Sequence, residues 1–239
     1  MRSGKEPLLQ NEKAGIMKIP PWSYSAIKLF ETCPLKYEAE RVTKEIPYTE
    51  TEATIYGTEL HLAAEEYIRD GKPIDPRFDY IKPYLDKLID YPGIKHCEMK
   101  LGVKKRDGRL EACDFFDPEV WFRGVADLVI VDGNRAWVLD YKTGKNAKYA
   151  DIRQLALMAA ALFLKFEELE RIKTSLLFVV CKEFIREDFH RDHGLSIFAE
   201  LNGLLSHREA AYNNGVWNPR PNGLCKKWCK VTRCPHNGV

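Results

Sequence analysis

Two strand-like segments, Phe122 to Val131 and Ala136 to Lys142, flank the string Asp132-Gly133-Asn134-Arg135. A short Gly/Asn link between two such runs is a hairpin turn, and this hairpin constrains everything after it. Asp151 to about Glu168 is a helix so apolar on all sides that it must be buried. Thr174 to Cys181 reads as a buried strand. Hairpin, helix and strand in that order imply a crossover that lays the last strand parallel to an earlier one. The chain is therefore expected to be α/β, a mixed sheet flanked by helices.

Upstream, Ser23 or Ser25 can cap a helix from Ala26 to Cys33, and Pro34 suits the first turn of a second helix through about Val42. Gly57 to Asp70 carries one apolar stripe, Leu60, Ala63, Ala64, Tyr67 and Ile68, with His61 and Glu65 at its edge. Tyr80 to Leu88 reads as helical, and so does Gly194 to Asn213. In His96 to Val103, apolar Met99, Leu101 and Val103 alternate with Glu98 and Lys100, as in a half-buried strand. Residues 1–20 show no apolar period and are expected to form a mobile arm before a single domain, 21–239.

Composition closes off several classes. The longest apolar run, Leu155 to Leu164, is about half of the ~20 residues that span a bilayer. The N-terminus has no signal-like stretch, so a cytoplasmic protein is expected. Lys and Arg number 37 against 35 Asp and Glu, so any nucleic-acid contact must come from a local cluster. Seven cysteines without a secretory signal argue against a disulfide framework, and three of them, Cys225, Cys229 and Cys234, fall within ten residues, which points toward metal.

The hairpin also carries chemistry. A two-residue turn at Gly133-Asn134 makes facing residue numbers sum to 267 and puts Asp127 across from Asp140; a turn at Asp132-Gly133 makes them diagonal neighbours. Parity then places both on one face, with Lys142 beside them. Two adjacent carboxylates are either solvated charges on an open face or ligands that share a hard divalent ion such as Mg²⁺ or Mn²⁺. In the second case Lys142 would orient the attacking water or stabilise charge developing on a phosphate.

Gly124-Val125-Ala126-Asp127, the hairpin, and Val138-Leu139-Asp140-Tyr141-Lys142-Thr143-Gly144-Lys145 together resemble the metal-binding core of the PD-(D/E)XK nuclease superfamily, in its RecB-like branch. Tyr56-Gly57-Thr58-Glu59-Leu60-His61 resembles that branch's G-x-x-x-H helix, which implies that His61 is a metal ligand with Asp127 and Asp140. Gln154 resembles the start of the family's Q-x-x-x-Y motif, with Met158 where the tyrosine is usual; it is carried over as a catalytic-site residue that fixes the catalytic strand. Glu98 is either a further acid of the metal site or a solvated strand residue. Glu65 is either a partner of His61 or a surface charge.

The segment Ser23 to Tyr37, with Cys33-Pro34, is similar to the N-terminal segment of CRISPR-associated and AddB-type relatives. There, a cysteine before proline joins three C-terminal cysteines around a [4Fe-4S] cluster. The resemblance implies that Cys33, Cys225, Cys229 and Cys234 do the same here, although the spacing is C-x3-C-x4-C where C-x2-C-x5-C is usual. Four thiolates suit tetrahedral zinc equally well, and His236 offers zinc a Cys₃His alternative. On this reading 21–45 and 217–239 form a cysteine-bearing helical subregion on a restriction-endonuclease-like αβββαβ core. Lys226, Lys227 and Trp228 around the cysteines, and Lys145 and Lys148 beyond the catalytic strand, are the candidate DNA contacts.

The function implied is a stand-alone, Mg²⁺- or Mn²⁺-dependent deoxyribonuclease, an exonuclease by preference. It would act on single strands or duplex ends in phage DNA recombination, repair or replication, with a recombination or replication protein as a partner and no membrane. Two alternatives are a prespacer-trimming nuclease of CRISPR adaptation and a catalytically silent DNA-binding or scaffold protein of the same fold.

Overall fold

The computed structural model describes residues 19–148 and 150–239. The expected N-terminal arm lies, apart from residues 19 and 20, outside the described residues. Six strands form one mixed sheet in the order β2-β1-β3-β4-β5-β6. They are β1 (Ile94–Arg106), β2 (Arg109–Cys113), β3 (Val120–Asp132), β4 (Arg135–Lys142), β5 (Arg171–Phe178) and β6 (Glu183–His190). β4 and β5 pair in parallel, as the crossover requires, and all other neighbours are antiparallel. The hairpin register is Leu128↔Leu139 through Asp132↔Arg135, the sum-267 alternative, with Gly133 at φ 57° in the turn.

Helices cover both faces. On one side α5 (Arg153–Lys165) runs across the sheet with eight buried residues, joined by α1 (Tyr24–Thr32), α6 (Ser196–Glu200) and α7 (Asn202–Asn214). On the other, α3 (Glu52–Asp70) and α4 (Lys82–Asp90) pack Leu60, Ala64, Leu85 and Leu88 onto Leu128, Ile130, Leu139 and Tyr141. A short α2 (Pro34–Tyr37) runs into a π-helical turn, Glu38–Val42, and the two together fill the second helix expected after Pro34. None of the described helices is long and apolar enough to cross a membrane.

Several boundaries differ from the sequence reading for local reasons. α3 starts five residues before Gly57 because Thr51 and Thr54 form a reciprocal capping box. α5 stops at Lys165, and β5 begins at Arg171, three residues before Thr174. The single helix read from Gly194 to Asn213 is broken at Leu201 into α6 and α7.

The sheet changes faces in its middle. Cys97 of β1 and Leu128 of β3, a facing pair, pack toward α3 and α4, whereas the next pair, Met99 and Ala126, packs toward α5. Residues two apart in an ordinary strand share a face. The roll occurs at Glu98, whose φ of 48° lies in the left-handed region that a non-glycine residue enters only at a cost of about 1–2 kcal/mol. Asp127 occupies the facing position on β3.

Candidate active site

β3 and β4 stay paired only as far as Leu128 and Leu139 and then diverge. Asp127 stands at the fork. Its Oδ2 accepts the Tyr141 backbone N–H at 2.7 Å, replacing the next rung of the ladder, and its Oδ1 lies 3.3 Å from His61 Nδ1. The parity argument thus needs amendment: Asp127 lies in the seam between the helical layers, while Asp140, next on β4, turns toward α5.

Asp140 is 5% exposed. Its Oδ1 accepts from Gln154 Nε2 at 2.5 Å, and its Oδ2 lies 2.5 Å from Lys142 Nζ. That second oxygen has no hydrogen bond of acceptable geometry despite the close charge contact. Lys142 Nζ in turn donates to Gln154 Oε1 at 3.1 Å, so one amide on α5 holds both the acid and the lysine. Met158, one turn further along α5 where the family's tyrosine would stand, packs on Gly124; a Cβ there would come within 2.5 Å of Met158 Cε.

His61 reaches the same point from α3. Gly57, one turn earlier, passes close to Thr143 Oγ1, which brings the G-x-x-x-H helix down onto the strand carrying the D-x-K triplet. His61 Nε2 lies 3.0 Å from the Tyr141 carbonyl, so both ring nitrogens face acceptors. Burial of the ring opposes its protonation, but the hydrogen bond to Asp127 and the charges of Asp127, Asp140 and Glu98 outweigh it, and its pKa is raised.

The roll at Glu98 delivers the remaining acid: ligand atoms of His61, Glu98 and Asp127 all lie within 4.8 Å of one another, the one such group among the described residues. Asp140 stands outside that group, held by Lys142 and Gln154. Burial and then the Asp127 charge raise the Glu98 pKa, and the same two causes, opposed by Lys142, push Asp140 up to about 6. Accumulated carboxylate oxygens together with an imidazole nitrogen are a donor set suited to a hard divalent cation. Sequence reasoning kept Glu98 open because its role depends on a backbone angle that no periodicity reveals. Glu65, by contrast, is paired with Arg69.

The four cysteines meet elsewhere. Cys33, Cys225, Cys229 and Cys234 line one cavity together with Leu35, Val231 and His236. Arg220 N–H donates to Cys33 Sγ and Asn222 N–H to Cys225 Sγ, each at 3.4 Å. Lys226, Lys227 and Trp228 are exposed on this segment, Trp228 at 72%. Lys145 and Lys148 are exposed in the loop that follows β4.

A model of the PD-(D/E)XK nuclease superfamily matches residues 21–236. Among solved structures, the crystal structure of SSO0001 is similar over 94% of this chain and 90% of that one, with 16% identity and a TM-score of 0.47. No match is found among curated proteins.

Proposed function

The chain belongs to the PD-(D/E)XK nuclease superfamily, and from that premise we propose that it is a Mg²⁺- or Mn²⁺-dependent deoxyribonuclease. The reading rests on one observation: Asp127, Asp140 and Lys142, brought by two diverging strands, meet His61 from one helical layer and Gln154 from the other. A silent scaffold would have no need of three acids whose mutual repulsion opposes folding.

Asp127, Asp140, His61 and Glu98 would hold the divalent ion, which when bound supplies Lewis acidity and a nucleophilic water. Each other role belongs to the chain. Lys142 places a positive charge beside Asp140, where charge develops on the phosphate in the transition state. Gln154 orients both groups through its two amide atoms. The Asp127 bond to Tyr141 N–H holds the fork open, so that a phosphate can approach between the strands. Lys145 and Lys148 would meet neighbouring phosphates.

We assign exonucleolytic action in phage DNA recombination, repair or replication on the strength of the resemblance to RecB-like, phage-encoded enzymes. For Cys33, Cys225, Cys229 and Cys234 we propose a [4Fe-4S] cluster. Four thiolates around one cavity are a donor set that such a cluster uses, and the resemblance to CRISPR-associated and AddB-type relatives is what favours it over zinc.

End-labelled single- and double-stranded DNA incubated with Mg²⁺, Mn²⁺ or EDTA tests the proposal. Cleavage should require the divalent ion and vanish in Asp127→Ala. Cleavage persisting in EDTA, or a fully active Asp127→Ala protein, overturns it.

A further inference from the structure

The fork between β3 and β4 opens into a cleft of about 620 Å³, within the range that small-molecule ligands fill. One end is Lys142 and Gln154; the other is Pro21 to Ser25, with Phe115 and Arg123 on its wall. Trp22 closes the far end by bridging to β3: its N–H donates to Trp121 O at 2.9 Å, and Arg123 N–H donates to Trp22 O at 2.8 Å. Arg123 N–H therefore points away from β1, and the alternation of an antiparallel strand turns the Val125 main chain the same way, into the cleft.

Two phenylalanines and two cations cluster at that wall: Phe115 and Arg123 line the cleft, and Phe116 and Lys100 stand beside them outside it. Phe115 and Phe116 pack edge-on with centroids 5.1 Å apart. The Arg123 guanidinium lies 5.2 Å from the Phe115 ring and 5.9 Å from the Phe116 ring, and Lys100 Nζ lies 5.9 and 5.3 Å from them. Phe116 is nevertheless 67% exposed, and Arg123 Nε is buried without a hydrogen-bond partner. A solvent-facing aromatic surface flanked by cations stacks unpaired bases while the cations meet the backbone. The bases of a double helix are stacked on one another and cannot reach such a ring.

We infer that this wall is a single-strand clamp: Phe116 stacks an unpaired base, and Arg123 and Lys100 hold the phosphates that lead into the cleft toward Lys142. The inference rests on the nuclease reading for its direction but not for its test. Fluorescence anisotropy in EDTA, with a labelled 12-nucleotide single strand and a blunt 12-base-pair duplex, reads binding without cleavage. The wild type should bind the single strand more tightly than the duplex. Phe116→Ala and Lys100→Ala should each weaken single-strand binding about fivefold or more, and Phe116→Trp should retain it.

Cleavage in Mn²⁺ is measured in parallel. If the wild type cuts DNA but Phe116→Ala and Lys100→Ala bind the single strand unchanged, the clamp is wrong and the nuclease reading stands. If the wild type cuts nothing yet loses single-strand affinity in both variants, the clamp stands and the nuclease reading falls. A wild-type preference for the blunt duplex also overturns the clamp. Phe116 is exposed and Lys100 lies on the surface, so neither substitution touches the core.

Discussion

Replacing Asp140 by asparagine should make the metal-stripped protein more stable. The Asp140 carboxyl is buried and raised from 3.8 to about 6, a shift of about two units or about 3 kcal/mol between its charged and neutral forms. Because the folded-state pKa is raised, the neutral acid stabilises the fold below about pH 4, and that contribution is lost as pH rises through about 6. Asparagine mimics the neutral acid and keeps the Oδ1 that accepts from Gln154, but it sets an amide against Lys142. We therefore expect a gain of about 2 kcal/mol at pH 8, which for a domain of this size raises Tm by about 4–8 °C. At pH 4 the two proteins should melt together.

Calorimetric scans of chelator-dialysed protein at pH 4, 6 and 8 measure this gap. Saturating Mn²⁺ should then raise the wild-type Tm by more than that of Asp140→Asn. Equal melting at pH 8, or a gap that does not widen between pH 4 and 8, would refute the idea that the carboxylate is held against the fold's preference. A variant stabilised by Mn²⁺ as much as the wild type would remove Asp140 from the ligand set.

Lys142→Met should lower kcat by about a hundredfold or more in single-turnover cleavage, with the metal dependence of binding kept; undiminished turnover would deny the lysine its role. Since the His61 pKa is raised and a ligating imidazole nitrogen must lose its proton, Mn²⁺ affinity measured by calorimetry should weaken as pH falls through that pKa, and this slope should flatten in His61→Ala. Glu98→Gln should weaken Mn²⁺ binding about tenfold or more while leaving the melting profile of the stripped protein as stable or more so, because burial and repulsion already disfavour its charge. Cys33→Ser should remove the broad visible absorption and iron of anaerobically purified protein; unaltered iron content would assign the cluster to other groups.

Much of the site was legible because its chemistry is spaced along regular elements. Either of the two turns open to the hairpin brings Asp127 close to Asp140, and the helix stripe places His61 beside Leu60. What escaped lies in irregular geometry. The roll at Glu98 depends on one φ angle, so a parity count that treats β3 as an unbroken strand places Asp127 on a face when it sits in a seam. β6 was not read at all: along an exposed edge, Glu183 to His190 has one neighbouring strand and carries charge at half of its positions, so the apolar alternation that marks a strand is missing. β2 was missed for its shortness, five residues ending at Cys113.

The meeting of the chain's early and late segments sets a schedule for synthesis. Tyr37 and Pro20 receive hydrogen bonds from Arg208, and Cys33 receives one from Arg220, 187 residues downstream. At ribosomal rates of about 5–20 residues per second, α1 waits about 10–40 s for those partners to be made. α1 follows a Trp22 whose β3 partners, Trp121 and Arg123, are made about a hundred residues later, and it ends at the cysteine cavity, whose partners come later still, so its two ends are fixed at different times.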